Sequence, residues 1–473
     1  MELPYRGSGK VFYAEKEYKS DLYYNEEEGG ILLKIIINSE KILGDFLEFP
    51  FDIPFLCGQL ESGFKFTLLH LVRSGMQDLV SYGVTEFTFY ADYILCGIGS
   101  DALHEQTFRK ISYTLSNIVE WGEESIYAIS EKYELFSKKE EIKKSIFKGS
   151  DYCINYTVFG SMLPVVENEL LKENINLNQT GIIEIEFQNE EPFYRFCDIF
   201  DKLKRLIEIA ILRRVNLEKV TAYSSEIVYS IGDKNIEQPI DVYGKNIKKE
   251  VTKENTNNRC WKWISLSELI KNNAFEHYFG KHEKLAPIVE LFLDPLYVNK
   301  SSNTRIFLNI VQALETYHSR FITNNIDEFK AKIDRLINEQ PSDRAEELEL
   351  FLLANSNKFI TLESRLADLL FADGMIFFDT GKIHHKDFPS VIAHSRNYYI
   401  HYDESIKEKY RVLSEEELGF YNRAIIQILE YYILLELGFS KESVEIKTKL
   451  TERWGNISQD LDILEFSKKK HNS

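Results

Sequence analysis

The apolar residues of this chain change their dominant period between its two halves, and that change divides it. Up to about residue 190 they mostly alternate, as in strands; beyond Trp261 they recur every three to four positions, as in helices. Gly30–Asn38 reads as a strand after an acidic turn. Phe64, Phe66, Leu68 and His70 alternate with Lys65, Thr67 and Leu69. Val84–Tyr93 and Ile111–Trp121 have strand composition, and Gly181–Gln188 is the clearest strand, with Ile183, Ile185 and Phe187 opposite Glu184 and Glu186. Repeated strands separated by turn residues predict a sandwich or barrel-like module. Residues 192–214 switch to helical spacing, with a cationic end at Lys202, Lys204, Arg205, Arg213 and Arg214 that suits the helix dipole. A strand over Ala222–Ile231 and a looser polar tail over Asp233–Asn258 complete this half.

The second half reads as a run of helices. Ser265–Lys271 begins with capping residues. Asn303–Thr323 carries Ile306, Phe307, Ile310, Val311, Leu314 and Tyr317 as one buried stripe. Ile326–Asn338, Arg344–Ala354 and Leu362–Phe371 follow. Ser414–Leu437 starts on Ser414 with Glu417 three residues on and stops at Gly438; Ser440–Trp454 is a last helix. Short connections between helices predict a bundle. The fold class is therefore α+β multidomain: a β-rich sandwich or barrel-like domain over 1–258, a helical connector over 259–300 and an all-α bundle over 301–473.

Totals bound the chemistry. A chain of 473 residues suggests two or three domains. Five widely spaced cysteines without a CxxC pair suit reduced thiols in a cytoplasm and argue against a zinc site. No apolar run is long enough to cross a membrane, and Met1–Gly30 has no signal-peptide core. A net charge of −18 excludes a broad basic surface for nucleic acid. The balance reverses locally, however. Lys382–Arg411 holds six cations, Lys382, Lys386, Arg396, Lys407, Lys409 and Arg411, against four anions, Asp387, Asp403, Glu404 and Glu408. That island suits a folded RNA better than a long duplex.

Within it lies Asp387–Asp403, DFPSVIAHSRNYYIHYD, which reads as one amphipathic helix. Asp387 can cap it, and Pro389 falls in the first turn, where its missing N–H costs little. Val391, Ile392, Ser395, Tyr399 and Tyr402 share the core side. Asn397 and His401 are one turn apart on one face, and His394 extends that stripe. Arg396 projects about 100° away, with a side chain long enough to swing back towards His401. Together these offer a phosphate ligand, an amide positioner and a proton shuttle, the outline of a metal-independent RNA-cutting site.

Arg396-Asn397-Tyr398-Tyr399-Ile400-His401 resembles the R-N-x-x-x-H motif of HEPN ribonucleases. Phe307–Phe321, with its Ala313-Leu314-Glu315 run, is similar to the first core helix of ApeA-like HEPN domains, and Leu362–Leu370 resembles their middle helix. The resemblance covers Arg305–Gly438, and the β-rich half looks like the family's N-terminal domain. It implies a HEPN bundle that dimerises, in an anti-phage abortive-infection ribonuclease cutting host RNA, tRNA above all, in the anticodon region. It further implies a phage-encoded trigger acting through the N-terminal domain, and Glu315 orienting Arg396 or His401 from a facing helix.

The chemistry of such a site follows from its residue types. A histidine titrates near neutrality, so His401 can act as base or acid towards the ribose 2′-OH and the leaving 5′-oxygen. Arg396 can hold two phosphate oxygens at once. Each motif carries one His, so a homodimer would bring two to a shared cleft. The products would be a 2′,3′-cyclic phosphate and a 5′-OH end, without any cofactor. Blander readings stand beside this one. Tyr398, Tyr399 and Tyr402 suit packing or an interface as well as base stacking. His384, His385, His394 and His401 lack the companions of a metal site. His394 either assists with substrate or does not; Glu315 either orients the motif or satisfies a buried arginine such as Arg365; Asp403 pairs most simply with Lys407 at i, i+4. The alternative function is a non-catalytic HEPN module for dimerisation or RNA binding, beside a β-rich recognition domain.

Overall fold

A computed structural model describes residues 6–25, 30–38, 49–79, 83–99, 107–137, 141–160, 177–231, 234–244, 247, 263–298, 300–322, 335, 337–338, 342–355, 361–372 and 387–450. They fall into two compact units: Met1–Ile211 with Val215–Leu266, and Leu212–Arg214 with Ser267–Ser473. No helix among the described residues is long and apolar enough to cross a membrane.

The first unit contains a closed barrel. Strands β1 (Gly7–Tyr13), β2 (Lys16–Asn25), β3 (Gly30–Asn38), β4 (Asp52–Leu60), β5 (Lys65–Leu79) and β6 (Val84–Cys96) run antiparallel in the order β6-β3-β2-β1-β4-β5, and β5 pairs back onto β6. Alternation supplies the filling. Val11, Leu22, Leu33, Ile35, Phe66, Leu68, Phe87 and Phe89 form one core cluster, and closure leaves these strands no free edge. The two-residue turn between β1 and β2 puts Ala14 and Glu15 in the left-handed region, as the right-handed twist of a tight hairpin demands.

The rest of the unit extends this sheet. After β7 (Thr107–Leu115) come a short helix α1 (Ile118–Gly122), β8 (Tyr127–Ile129), β9 (Leu135–Ser137), β10 (Glu141–Lys148), β11 (Tyr152–Gly160) and β12 (Gln179–Pro192). Helix α2 (Phe193–Ile211), β13 (Leu217–Tyr223), β14 (Val228–Ile231), β15 (Lys234–Glu237) and β16 (Ile240–Gly244) follow. The order β10-β11-β12-β7-β13-β16 joins the barrel through β16 on β6. Helix α2 covers one face: Phe200 stacks on Tyr113 with ring centres 3.9 Å apart, and Phe196 meets Phe187 edge-on at 4.8 Å. The opposite face is ionic. Burial there pushes the Glu184 carboxyl up, but Lys143 and Lys110 outweigh it and hold the group below its ordinary value.

Several expectations are corrected here. The strand expected over Ile111–Trp121 stops at Leu115, because Asn117 turns left-handed and starts α1, whose Trp121 Nε1 donates to the Ile264 carbonyl. His70 does not continue the inward row of β5. Its φ of 53° flips the alternation, so Leu71 is buried and His70 faces out beside Asp92. The Ala222–Ile231 strand is two strands, broken where Ser224 and Ser225 both bond Glu190. Lys202 and Arg205 bond Asp198 and Glu208 within α2 rather than serving its terminus. The supposed loose tail contributes β15 and β16, the latter a full member of the large sheet; residues 248–258 lie outside the described residues.

The second unit is helical: α3 (Leu266–Lys271), α4 (Ala274–Tyr297), α5 (Asn303–Phe321), α6 (Ser342–Asn355), α7 (Leu362–Ala372), α8 (Phe388–His401), α9 (Glu404–Lys409), α10 (Glu415–Glu436) and α11 (Lys441–Leu450). Helix α5 is central, packing on α4, α7, α8 and α10, with Phe307, Ile310, Val311, Leu314 and Tyr317 buried. Ser414 and Glu417 form a full capping box on α10, and Gly438 follows its end with φ of 89°. The expected Ile326–Asn338 helix lies almost wholly outside the described residues, as does everything beyond Leu450.

Candidate functional site

Helix α8 forms where its sequence places an apolar side against α5. Pro389 sits in the first turn; Val391, Ile392, Ser395, Tyr398 and Tyr399 are buried. Asp387 occupies the cap position, but its side chain makes no capping hydrogen bond. Tyr399 meets Phe307 of α5 edge-on. Two buried hydroxyls then fix the following chain. The Ser395 hydroxyl accepts from the Leu413 N–H at 2.9 Å, and the Tyr399 hydroxyl donates to the Leu413 carbonyl at 2.8 Å.

The helix is two residues shorter than its amphipathic pattern. It ends at His401, and Tyr402 takes the left-handed conformation, φ 50° and ψ 36°. Tyr402 therefore leaves the core side on which spacing placed it and is 62% exposed, with its ring edge-on to Tyr398 and Tyr399. Asp403 caps α9, accepting from the Ser405 N–H at 3.0 Å. That hydrogen bond, with Lys409 and His401 nearby, holds its carboxyl below the ordinary value. The expected Asp403–Lys407 pair does not form: Lys407 reaches Glu404 at 3.2 Å and lies over the Tyr398 ring. An aspartate in the cap position gains more from a backbone N–H than from an exposed lysine.

Arg396, Asn397 and Glu315 are brought together. Arg396 Nη2 lies 3.5 Å from Glu315 Oε2 on α5, and Nη1 donates to Asn397 Oδ1 at 3.4 Å. The guanidinium thus turns to the carboxylate of the facing helix rather than back towards His401. His401 is exposed one turn beyond Asn397, and its ring has no hydrogen-bond partner among the described residues. His394 lies apart from this group. Its Nδ1 is 3.3 Å from the Ser390 hydroxyl, and its ring stacks on Tyr410 with centres 3.8 Å apart. Of the basic island, Arg411 bonds Glu417 and Tyr421, while Lys382 and Lys386 lie outside the described residues, as do His384 and His385. Among the described residues no cluster of three His, Cys, Asp or Glu could hold a metal ion.

Residue spacing gave no notice of two features and left a third open. It allows Arg365 as a buried arginine that Glu315 could satisfy, whereas Glu315 pairs with Arg396. Tyr410 and Leu413 reach α8 only because α9 folds the chain back. The fully buried His318 bonds Asp368 of α7 through Nε2 at 2.9 Å. Arg365 on the same helix keeps Nε and Nη1 buried without partners among the described residues. An aromatic or histidine at helical spacing reads equally well as core filling, so no local signal marks these contacts.

Chemically, the group offers a guanidinium set by a carboxylate and an amide, part of it open to solvent, with an imidazole free on the next turn. That combination suits an anionic, oxygen-rich ligand and a proton transfer. The family model for ApeA N-terminal domain 1 matches residues 5–276, and the model for Apea-like HEPN matches residues 308–443. Comparison with curated proteins finds no match, and neither does comparison with solved structures.

Proposed function

The chain belongs to the ApeA family, which pairs this N-terminal domain with a HEPN nuclease domain in anti-phage defence, and from that premise we propose that it is a metal-independent endoribonuclease cutting host tRNA in the anticodon region. The observation that carries this reading is the Arg396–Glu315 pair beside an exposed Asn397 and His401 on one helix. Scaffolding alone needs none of these.

In this mechanism Arg396 grips the scissile phosphate through two N–H groups and neutralises the charge that builds on its oxygens. Before the phosphate arrives, Glu315 sets the plane of the guanidinium and Asn397 fixes its other edge. His401 takes the proton of the 2′-OH, which attacks the adjacent phosphorus, and the bond to the 5′-oxygen breaks. A second His401, supplied by a two-fold partner, protonates that oxygen. The products are a 2′,3′-cyclic phosphate and a 5′-OH end; DNA, lacking the 2′-OH, is inert. Ile400 and Tyr402, both exposed beside His401, supply apolar surface for the second copy. A phage-encoded trigger acting on the β-rich domain releases the activity, since an unrestrained tRNA nuclease would kill its host.

End-mapping sequencing of RNA from phage-infected cells carrying wild type or His401→Ala tests this. Discrete tRNA cuts bearing cyclic-phosphate ends, present only with wild type, are expected. Identical RNA profiles during effective defence would overturn the nuclease reading.

A further inference from the structure

Arg365 on α7 is incompletely hydrogen-bonded. Its Nε and Nη1 are buried, and neither has a hydrogen-bond partner among the described residues. A guanidinium does not give up its charge, so burying unpaired N–H donors costs stability that an apolar side chain would not. Two acids on this pair of helices are engaged elsewhere. Asp368, one turn along α7, accepts from His318, which is fully buried on α5. Glu315, one turn before His318 on α5, faces Arg396. Helices α5, α7 and α8 pack pairwise on one another. Glu315 and His318 share one side of α5, and Arg365 and Asp368 share one side of α7. The His318–Asp368 bond shows that these two sides meet.

The Glu315–Arg396 pair is loose. At 3.5 Å it is longer than a good charge-assisted hydrogen bond, and its side chains are 34% and 29% exposed. An RNA phosphate would take Arg396 from Glu315 at little cost and then leave that carboxylate bare beside a second anion.

We propose that Arg365 is a positioning residue of the RNA-cutting site: when a phosphate takes Arg396, Glu315 passes its salt bridge to Arg365. In the free chain Glu315 pairs with Arg396, and Arg365 keeps two buried donors unpaired. In the bound chain the phosphate neutralises Arg396, and Arg365 neutralises Glu315. Arg365 thereby destabilises the free chain and strengthens the complex, two effects of opposite sign that ordinary core packing does not produce. The inference rests on the nuclease reading above.

The test uses the full chain carrying His401→Ala, with unfractionated bacterial tRNA as probe, and the variants Arg365→Met, Glu315→Gln, their combination, and Arg396→Ala. In the free chain, Arg365→Met is expected to raise the urea midpoint of unfolding. In binding, Arg365→Met is expected to weaken tRNA affinity about tenfold and to have no effect in the Glu315→Gln background. A lowered midpoint would show Arg365 already paired at rest and overturn the proposal. An equal loss of affinity in both backgrounds would make Arg365 a direct RNA contact and also overturn it. Affinity that falls with Arg396→Ala but not with Arg365→Met sinks this inference alone; affinity indifferent to Arg396→Ala sinks the nuclease-site reading and this inference with it.

Discussion

The Tyr399 hydroxyl donates to the Leu413 carbonyl at 2.8 Å, and the N–H of the same Leu413 donates to Ser395 one turn earlier on α8. One residue beyond α9 is thereby held by both of its backbone polar groups, and the helix bearing Arg396 and His401 is fixed from its buried side. Ser395→Ala strands a buried N–H and should cost about 1–3 kcal/mol. Tyr399→Phe removes a donor from a carbonyl and should cost about 1 kcal/mol. Urea unfolding of the two variants gives the ranking; a larger loss for Tyr399→Phe would contradict it.

His401 is exposed, and its ring makes no hydrogen bond among the described residues. His401→Ala should therefore leave stability within about 0.5 kcal/mol of wild type while cutting RNA cleavage at least about a hundredfold. Arg396→Lys keeps the charge but loses the fork, and cleavage should fall with little change in fold. Parallel unfolding and end-mapping measurements check both halves, and activity surviving in His401→Ala would remove it from the chemistry.

Asp403 is depressed by its hydrogen bond to Ser405 and by nearby cations. A carboxyl whose folded value lies below its unfolded one stabilises above the unfolded value, about pH 4, and that contribution is lost as pH falls through the folded value. Helix α9 should therefore fray on acidification below about pH 4, with Ser405 amide exchange quickening first. Asp403→Asn retains a capping oxygen and should abolish this acid dependence. Unchanged acid sensitivity in that variant would assign the transition to other carboxylates.

Gly9 lies where β1 meets β4. A Cβ there would fall 2.3 Å from the Gln59 carbonyl oxygen and 2.6 Å from Leu60 Cα, both backbone atoms that cannot swing aside. Gly9→Ala should cost about 2 kcal/mol or more. Gly280→Ala, inside α4 with nothing within 4 Å of the new Cβ, should instead stabilise by about 0.8 kcal/mol. Opposite shifts in unfolding midpoint are expected, and a neutral Gly9→Ala would mean that the barrel seam can open.

Much of this architecture was legible in spacing and caps. Alternation in Gly30–Asn38 and Gly181–Gln188, and the Ser414/Glu417 box, each depend on a few neighbouring residues, and each forms as expected. The Arg396-Asn397-His401 pattern located its helix the same way. Errors came where a single backbone torsion redirected the chain. Left-handed residues at His70, Asn117 and Tyr402 each ended or flipped a pattern, and none of the three is a glycine that would have announced it.

The sequence by itself determined the division into strands and helices, the caps, and the residue types that one helix would present, because those follow from side-chain period and local hydrogen bonding. Only the tertiary structure decided that β5 closes on β6 to make a barrel, that Glu315 finds Arg396 across 81 positions, and that Asp403 caps α9 rather than pairing with Lys407. Each of these is a competition among partners, settled by which backbones pack together, and local spacing carries no record of which partner comes within reach.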